Sequence, residues 1–480
     1  MAATKRNLLL KVSFVALVFL GLSVWLTRTY QPVIPYKETS TTTSLQGTEP
    51  ASTPEPPIDR CTATLDGKPR QQYAIMVDAG SSGSRIHVYR FSICHEEPQL
   101  ENEVFHMIEP GLSAYENDPQ EAAKSLDILM EIANENIPLE EKHCTPLAVK
   151  ATAGLRLLGN DKSEMILEAV RSRLKSTQQF PLAGDNAVEI MDGKDEGVYA
   201  WVTVNYLLGN LKPSRRGQSA AIFDLGGAST QIVFEPQMTL SSMTKGEHEY
   251  KLTYANQVYH LYQHSYLGYG LTEARKAIRM AAIEASKEEA IRDKHVYDPC
   301  MPTDHVEKHS WTDPATDITH TIDIIGIGAG HDACKKTVEH VFRKDKLCKL
   351  QACGFDGIYQ PSIRETFKTQ DLYVFSFFYD LTQPLGMPSE FSVGELSELA
   401  AMVCHTDHRP FLHYPSAIET IKSSPEYCVD LTYIDNLLRF GYDIPKDRLV
   451  RTAKKIRGAE TGWCLGASIA MIDQVKVCQL

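Results

Sequence analysis

Residues 73–91 read YAIMVDAGSSGSRIHVYRF. An apolar run is broken by Asp78-Ala-Gly-Ser-Ser-Gly-Ser84 and resumes at once as a second alternating run. This pattern predicts two strands joined by a tight, glycine- and hydroxyl-rich turn, with a carboxylate where the first strand ends. Such a turn exposes backbone N–H groups in a concave nest, and small hydroxyls add donors, so phosphate fits it well. Asp78 would repel phosphate directly, which makes sense if a divalent cation sits between them. Taken alone, the stretch reads first as a hairpin kept soluble by Ser and Gly.

A second copy changes that balance. Residues 220–236 read AAIFDLGGASTQIVFEP, and aligning Asp224 on Asp78 puts Gly226 on Gly80 and Thr230 on Ser84. The apolar runs match on both sides. Strand, Asp-x-Gly turn and strand repeated at domain-sized spacing predict two related lobes, each offering a phosphate loop to one cleft.

With 480 residues, 43% hydrophobic and 23% charged, the chain can build two ordinary domains with substantial cores. Its net charge of −12 argues against a nucleic-acid partner, because no Lys/Arg-rich footprint emerges beyond small local clusters. A nucleotide could still bind through glycine loops and a metal. Residues 8–26 are strongly apolar, with Lys5 and Arg6 before them and Arg28 after them. A small-residue cleavage site is missing, so an uncleaved signal anchor over 8–28 is favoured above a signal peptide. The charge bias places residues 1–7 in the cytosol and the remainder in a lumen. Residues 29–68, rich in Thr, Ser, Pro and Glu, read as a solvated stalk.

The eleven cysteines all lie beyond the anchor. An oxidising lumen would pair several of them, and the odd count leaves at least one free within the chain. The candidate is Cys464, inside TGWCLGAS. Cys348 and Cys353 superficially suggest a metal site, but a structural disulfide or plain loop cysteines fit better without a second paired set.

Asp118-Pro119 opens an amphipathic helix, and residues 146–154 form a strand ending at Thr152. That threonine either marks a strand-to-loop transition or reaches a phosphate or water. Glu196 falls at a loop or first helical turn before an apolar helix. It is either a helix-end charge partner or a general base aimed at a cleft. Residues 271–291 read as one helix, and 371–380, DLYVFSFFYD, as a strand-like aromatic cluster. Such a cluster is usually core; stacking on a nucleobase is the other reading, with Tyr379 the candidate. Residues 458–471 read equally as close helix packing or as a cleft lining.

Five stretches, DAGSSGSR, ATAGLRLL, DEGVYAWVTVNYLLG, FDLGGASTQ and GWCLGAS, occur in the order of the apyrase conserved regions. In these the chain resembles the ecto-nucleoside triphosphate diphosphohydrolase (apyrase) family, and its single N-terminal anchor looks most like the fungal Golgi guanosine-diphosphatase branch. The resemblance implies an α/β fold of two ribonuclease H-like lobes, shared with actin, sugar kinases and heat-shock ATPases, with the nucleotide between them. Lobe I would cover 69–212 and lobe II 213–450, and 451–480 would return to lobe I.

By the same resemblance, Glu196 would be the base that activates water, and Ser229 and Gln231 would position that water. Asp78 and Asp224 would hold the hydration shell of Mg, Ca or Mn. Gly80, Ser81, Ser82, Gly83, Thr152, Gly226, Gly227, Ala228 and Ser229 would bind phosphate oxygens. For Arg85 and Arg156, packing or lobe-fixing salt bridges rank above phosphate contact. The implied activity is luminal hydrolysis of a nucleoside diphosphate, GDP favoured, at the Golgi membrane. A broader UDP/GDP or triphosphate-cleaving apyrase and a nucleotide-gated chaperone of the same fold are the alternatives. No oligomeric state is implied. Neither a Walker lysine motif nor a protein-kinase signature set is evident.

Overall fold

The computed structural model describes residues 71–93, 97–177, 179–237, 247–303, 305–313, 315–350, 352–405 and 409–474. The expected anchor and stalk, and Cys61, Cys94 and Cys478, lie outside the described residues. Among the described residues no helix is long and apolar enough to cross a membrane.

The opening stretch folds as its alternation predicts. Strand β1 (Gln71–Ala79) turns through Gly80-Ser-Ser-Gly83 into β2 (Ser84–Ser92), pairing antiparallel with Asp78 opposite Arg85. Strand β3 (Gln99–Ile108) extends the meander, and β4 (Leu147–Ala151) and β5 (Val188–Ile190) add parallel to it, giving the order β3-β2-β1-β4-β5.

The second copy repeats this plan. Strands β6 (Ala221–Leu225) and β7 (Ser229–Phe234) form the equivalent hairpin, with Asp224 opposite Gln231. Strands β8 (Glu249–Tyr254) and β9 (Gln257–Leu267) continue it antiparallel. A satellite sheet of β10 (His295–Asp298), β11 (Val306–Asp313) and β12 (Ile318–Gly326) follows. Then β13 (Leu372–Ser376) adds parallel to β6, as β4 does to β1. With β14 (Glu390–Ser392) and β15 (Leu449–Thr452) the second sheet runs β14-β15-β13-β6-β7-β9-β8. The fold is thus a two-lobed α/β arrangement built on one duplicated hairpin.

Three expectations about elements change. The stretch 271–291 is two helices, Leu271–Ala285 and Lys287–Asp293, because Ser286 leaves helical geometry at φ −125° and ψ 29°. The break lets Ala290 join Ile283, Val296, Trp311 and Ile322 in a small core of the satellite sheet. The aromatic stretch 371–380 is strand only to Ser376, after which Phe377–Thr382 is helical. The cap at Asp118 forms as read, Asp118 Oδ1 accepting from the Glu121 amide at 3.1 Å with Pro119 in the first turn, but this helix stops at Ser125 and the apolar residues Leu129, Met130 and Ala133 lie on a second helix, Asp127–Asn136.

An apolar layer joins the two sheets. It takes Met76 and Ala74 from β1, Ile222 and Val233 from the second hairpin, and Trp201 from the Gly193–Leu208 helix. The Cys464–Gln474 helix lies in this layer, contributing Leu465 and Ile469. The two helices touch through Gly466, where an added Cβ would sit 2.2 Å from the Tyr199 carbonyl oxygen. Its amide donates to Thr203 Oγ1 at 2.9 Å. The small-residue stretch therefore does serve close helix packing.

The cysteines also find their places. Cys300–Cys334, Cys348–Cys353 and Cys404–Cys428 are disulfides, and Cys464 is free and buried among the described residues. The Cys348/Cys353 pair is thus a bridge and not a metal site.

Gly466→Ala tests the helix contact. A methyl forced against backbone should lower stability by about 1–3 kcal/mol, the range for overpacking a tight core. Chemical denaturation of the purified variant would read this as a lower midpoint; an unchanged midpoint contradicts the contact.

Candidate active site

The two hairpin turns face each other across a cavity of about 450 Å³, within the range of small-ligand sites. How closely they approach is seen at Gly227, where a Cβ would meet Ser81 Oγ at 2.5 Å. Any side chain at Gly227 would push the turns apart. The second turn is braced from behind. The carbonyls of Gly226 and Gly227 accept from the amides of Leu271 and Thr272, both at 2.9 Å, at the start of the next helix. The first turn is tied to β4 by the Thr152 amide, which donates to the Ala79 carbonyl at 3.2 Å.

Most of the residues singled out in the sequence line this cavity: Asp78, Gly80, Ser81, Ser82, Thr152, Glu196, Asp224, Gly226, Gly227, Ala228, Ser229 and Tyr379. Two do not. Gly83 is packed under β3, where a Cβ would lie 2.6 Å from the Ile108 carbonyl oxygen. Gln231 is buried behind the lining, with Nε2 donating to Ser229 Oγ at 2.8 Å and to Ser265 Oγ at 3.1 Å. Gln231 therefore acts on the cleft through Ser229.

Glu196 occupies the first turn of the Gly193–Leu208 helix, whose N-cap Asp192 accepts from the Lys194 amide. The helix N-terminus favours a negative carboxylate there. Burial works against it and raises its pKa to about 8; Arg156 lowers it, while Asp224 and Asp78 raise it further. Arg156, from the helix after β4, forms a buried ion pair with Glu196. The arginine of ATAGLR is thus a salt-bridge partner, as ranked from sequence. Its partner lies 40 positions along the chain, beyond the reach of local sequence pattern.

The two aspartates are held differently. Asp78 Oδ2 accepts from Arg85 at 3.4 Å, and its Oδ1 is buried without a hydrogen-bond partner. Burial raises the Asp78 pKa against the pull of Arg85 and His87. Asp224 Oδ1 accepts from Ser376 Oγ at 2.6 Å. Burial raises the Asp224 pKa to about 6, opposed by that hydrogen bond and reinforced by the charge of Asp78. Two buried carboxylates, one with an unsatisfied oxygen, suit a cation that would neutralise both. Among the described residues no group of three or more His, Cys, Asp or Glu could ligate a metal directly. The donors that the cleft offers a cation are these two carboxylates, with Asp78 Oδ1 left unsatisfied.

Ser376 was not visible as a site residue. It sits at φ 58° with ψ −125°, a conformation L-residues rarely adopt. That twist stops β13 at once, aims Oγ at Asp224, and starts the helix carrying half-buried Tyr379 into the cleft. His87 is a second omission. It lines the cavity and bonds Glu103 Oε1 through Nδ1 at 2.7 Å, both side chains being buried. The alternation of β2, which puts Arg85 and His87 on one face, was the available signal. Gly462, Trp463 and Cys464 also line the cavity, so the C-terminal small-residue stretch both packs a helix and walls the cleft.

Comparison with known proteins agrees with this geometry. The chain is 41% identical over 503 residues to a probable guanosine-diphosphatase of Aspergillus fumigatus, covering 99% of this chain and 98% of the relative. It is 43% identical over 415 residues to a guanosine-diphosphatase of Saccharomyces cerevisiae, covering 84% of this chain and 80% of the relative. A solved structure of nucleoside triphosphate hydrolases from Neospora caninum shares the fold, with a TM-score of 0.59 at 16% identity over 84% of this chain and 92% of that one. The family described as GDA1/CD39 (nucleoside phosphatase) matches residues 65–479. Two facing glycine turns, a buried acid between them and a family match across the whole described body lead to one assignment: the chain belongs to the GDA1/CD39 nucleoside phosphatase family.

Proposed function

We propose that this chain is a nucleoside diphosphatase that converts GDP and water to GMP and inorganic phosphate. The observation that carries the reading is Glu196, buried where the two turns converge and fixed by Arg156. Phosphoryl transfer asks a protein mainly for positioning and charge compensation, and loops with one base supply both.

Backbone and hydroxyl donors of Gly80, Ser81, Ser82, Thr152, Gly226, Gly227 and Ala228 hold the phosphate oxygens. Ser229 Oγ, oriented by Gln231, positions a water in line with the terminal phosphorus. Glu196 takes a proton from that water as its oxygen attacks. The bond between phosphorus and the bridging oxygen breaks, GMP carries that oxygen away, and Glu196 returns its proton to solvent or product. Arg156 holds the carboxylate in place and favours its charged form. Asp78 and Asp224 would hold the water shell of Mg, Ca or Mn, which when bound supplies positive charge against the phosphates. Tyr379 offers a face on which a base stacks.

The reading extends to location. With residues 8–28 as a signal anchor, the enzyme would face the Golgi lumen and clear the nucleoside diphosphate that glycosyltransferases release.

Glu196→Gln should still bind nucleotide yet lose about 10²- to 10⁴-fold in kcat, the scale of general base catalysis; near-normal turnover contradicts the role. In the parent enzyme the base must be ionised, so kcat/KM should rise with pH along a limb centred between the ordinary 4.5 and about 8. The variant should lack that limb, and a limb below 4.5 in the parent contradicts the buried base. EDTA should abolish phosphate release and Mg, Ca or Mn restore it; full activity in EDTA removes the cation from the account.

A further inference from the structure

The cleft also carries two charged side chains that the hydrolytic chemistry leaves unused. Asp380 follows Tyr379 on the Phe377–Thr382 helix, and Lys454 lies just beyond β15; both line the same cavity. Among the described residues, no hydrogen bond or ion pair engages the Asp380 carboxylate. It is exposed toward the cleft. Even so, surrounding protein raises its pKa, against the pull of Lys454 and Arg85. Lys454 is fixed at its backbone, its carbonyl accepting from the Thr461 amide at 3.2 Å and from Thr461 Oγ1 at 3.3 Å. An acceptor and a donor thus line one cavity, near enough for the charge of Lys454 to act on Asp380, and the wall also presents the Tyr379 ring.

We propose that Asp380 and Lys454 read the Watson–Crick edge of guanine, the carboxylate accepting N1–H and N2–H while the ammonium donates to O6. This rests on the diphosphatase reading of the same cleft and adds what selects the base. A carboxylate is an acceptor-only group with two oxygens, and guanine offers two adjacent donors beside one acceptor. Hypoxanthine keeps O6 and N1–H but lacks the 2-amino donor. Uracil offers one donor flanked by two acceptors, so one carbonyl meets the carboxylate unfavourably. Adenine inverts the pattern, setting its amino group against Lys454 and its N1 lone pair against Asp380. The expected order is therefore GDP, then IDP, then UDP, then ADP. Tyr379 stacking alone would not produce it, since every base has a π-face.

The test is kcat/KM for phosphate release from GDP, IDP, UDP and ADP by the parent enzyme and by Asp380→Asn. A ratio between two substrates does not depend on how much of a variant is folded. The parent should favour GDP over IDP by about ten- to a hundredfold, the scale of a hydrogen bond to a charged group. Asp380→Asn should shrink that ratio to within about threefold, because an amide can no longer accept both donors, and Lys454→Met should lower GDP and IDP together relative to ADP. A GDP/IDP ratio unchanged by Asp380→Asn, with the parent active, overturns this inference and leaves the diphosphatase reading standing. A parent that releases phosphate from none of the four overturns both.

Discussion

Asp78, Asp224 and Glu196 share one buried cleft, and their mutual repulsion is the constraint to which the rest of the structure answers. Desolvation raises all three pKa values, and the charges of both aspartates raise that of Glu196 further. Carboxylates so placed persist only where other groups compensate them. Arg156 compensates Glu196, Arg85 partly compensates Asp78, and Ser376 satisfies one oxygen of Asp224. The unsatisfied Oδ1 of Asp78 leaves the compensation incomplete in the protein alone. A cation with its water shell would complete it, and the same charge would then offset the phosphates of a nucleotide.

Bringing these groups together is the work of a duplicated hairpin. Each copy ends its first strand on an aspartate and turns on glycine, so two sheets deliver equivalent carboxylates from opposite sides. The turns can approach because Gly227 has no side chain to collide with Ser81. Behind them, the Gly193–Leu208 and Cys464–Gln474 helices share a dry layer with both sheets. Because Glu196 opens one of those helices, its position is set by the apolar packing further along the same element.

Much of this was legible in the sequence because it is local. Period-2 alternation, a carboxylate and a glycine turn specify a hairpin within a dozen residues, and repetition marks the hairpin as a pair. The odd cysteine count requires at least one free thiol, and the small-residue stretch points to Cys464, whereas the spacing of Cys348 and Cys353 leaves a bridge and plain loop cysteines both open. What stayed hidden depends on tertiary geometry. Arg156 and Glu196 are forty positions apart, and only the arrival of two helices at one point makes them partners. Ser376 reads as an ordinary strand residue until its left-handed φ ends β13 and turns it on Asp224. Gly83 and Gln231 belong to the right motifs yet stand behind the cleft wall, because Gly83 packs under Ile108 and Gln231 is bonded to Ser229 and Ser265. The break at Ser286 is hidden for a related reason: the helical pattern continues through it, and the satellite core decides the bend.

Direct attack by a water that Glu196 deprotonates is the central claim, and the stereochemical course at phosphorus tests it most directly. A GDP analogue with sulfur and an oxygen isotope making the terminal phosphorus chiral would be hydrolysed in water carrying a third isotope. A single in-line displacement predicts inorganic thiophosphate of inverted configuration. Retention would require two displacements through a phosphorylated side chain and would contradict the account.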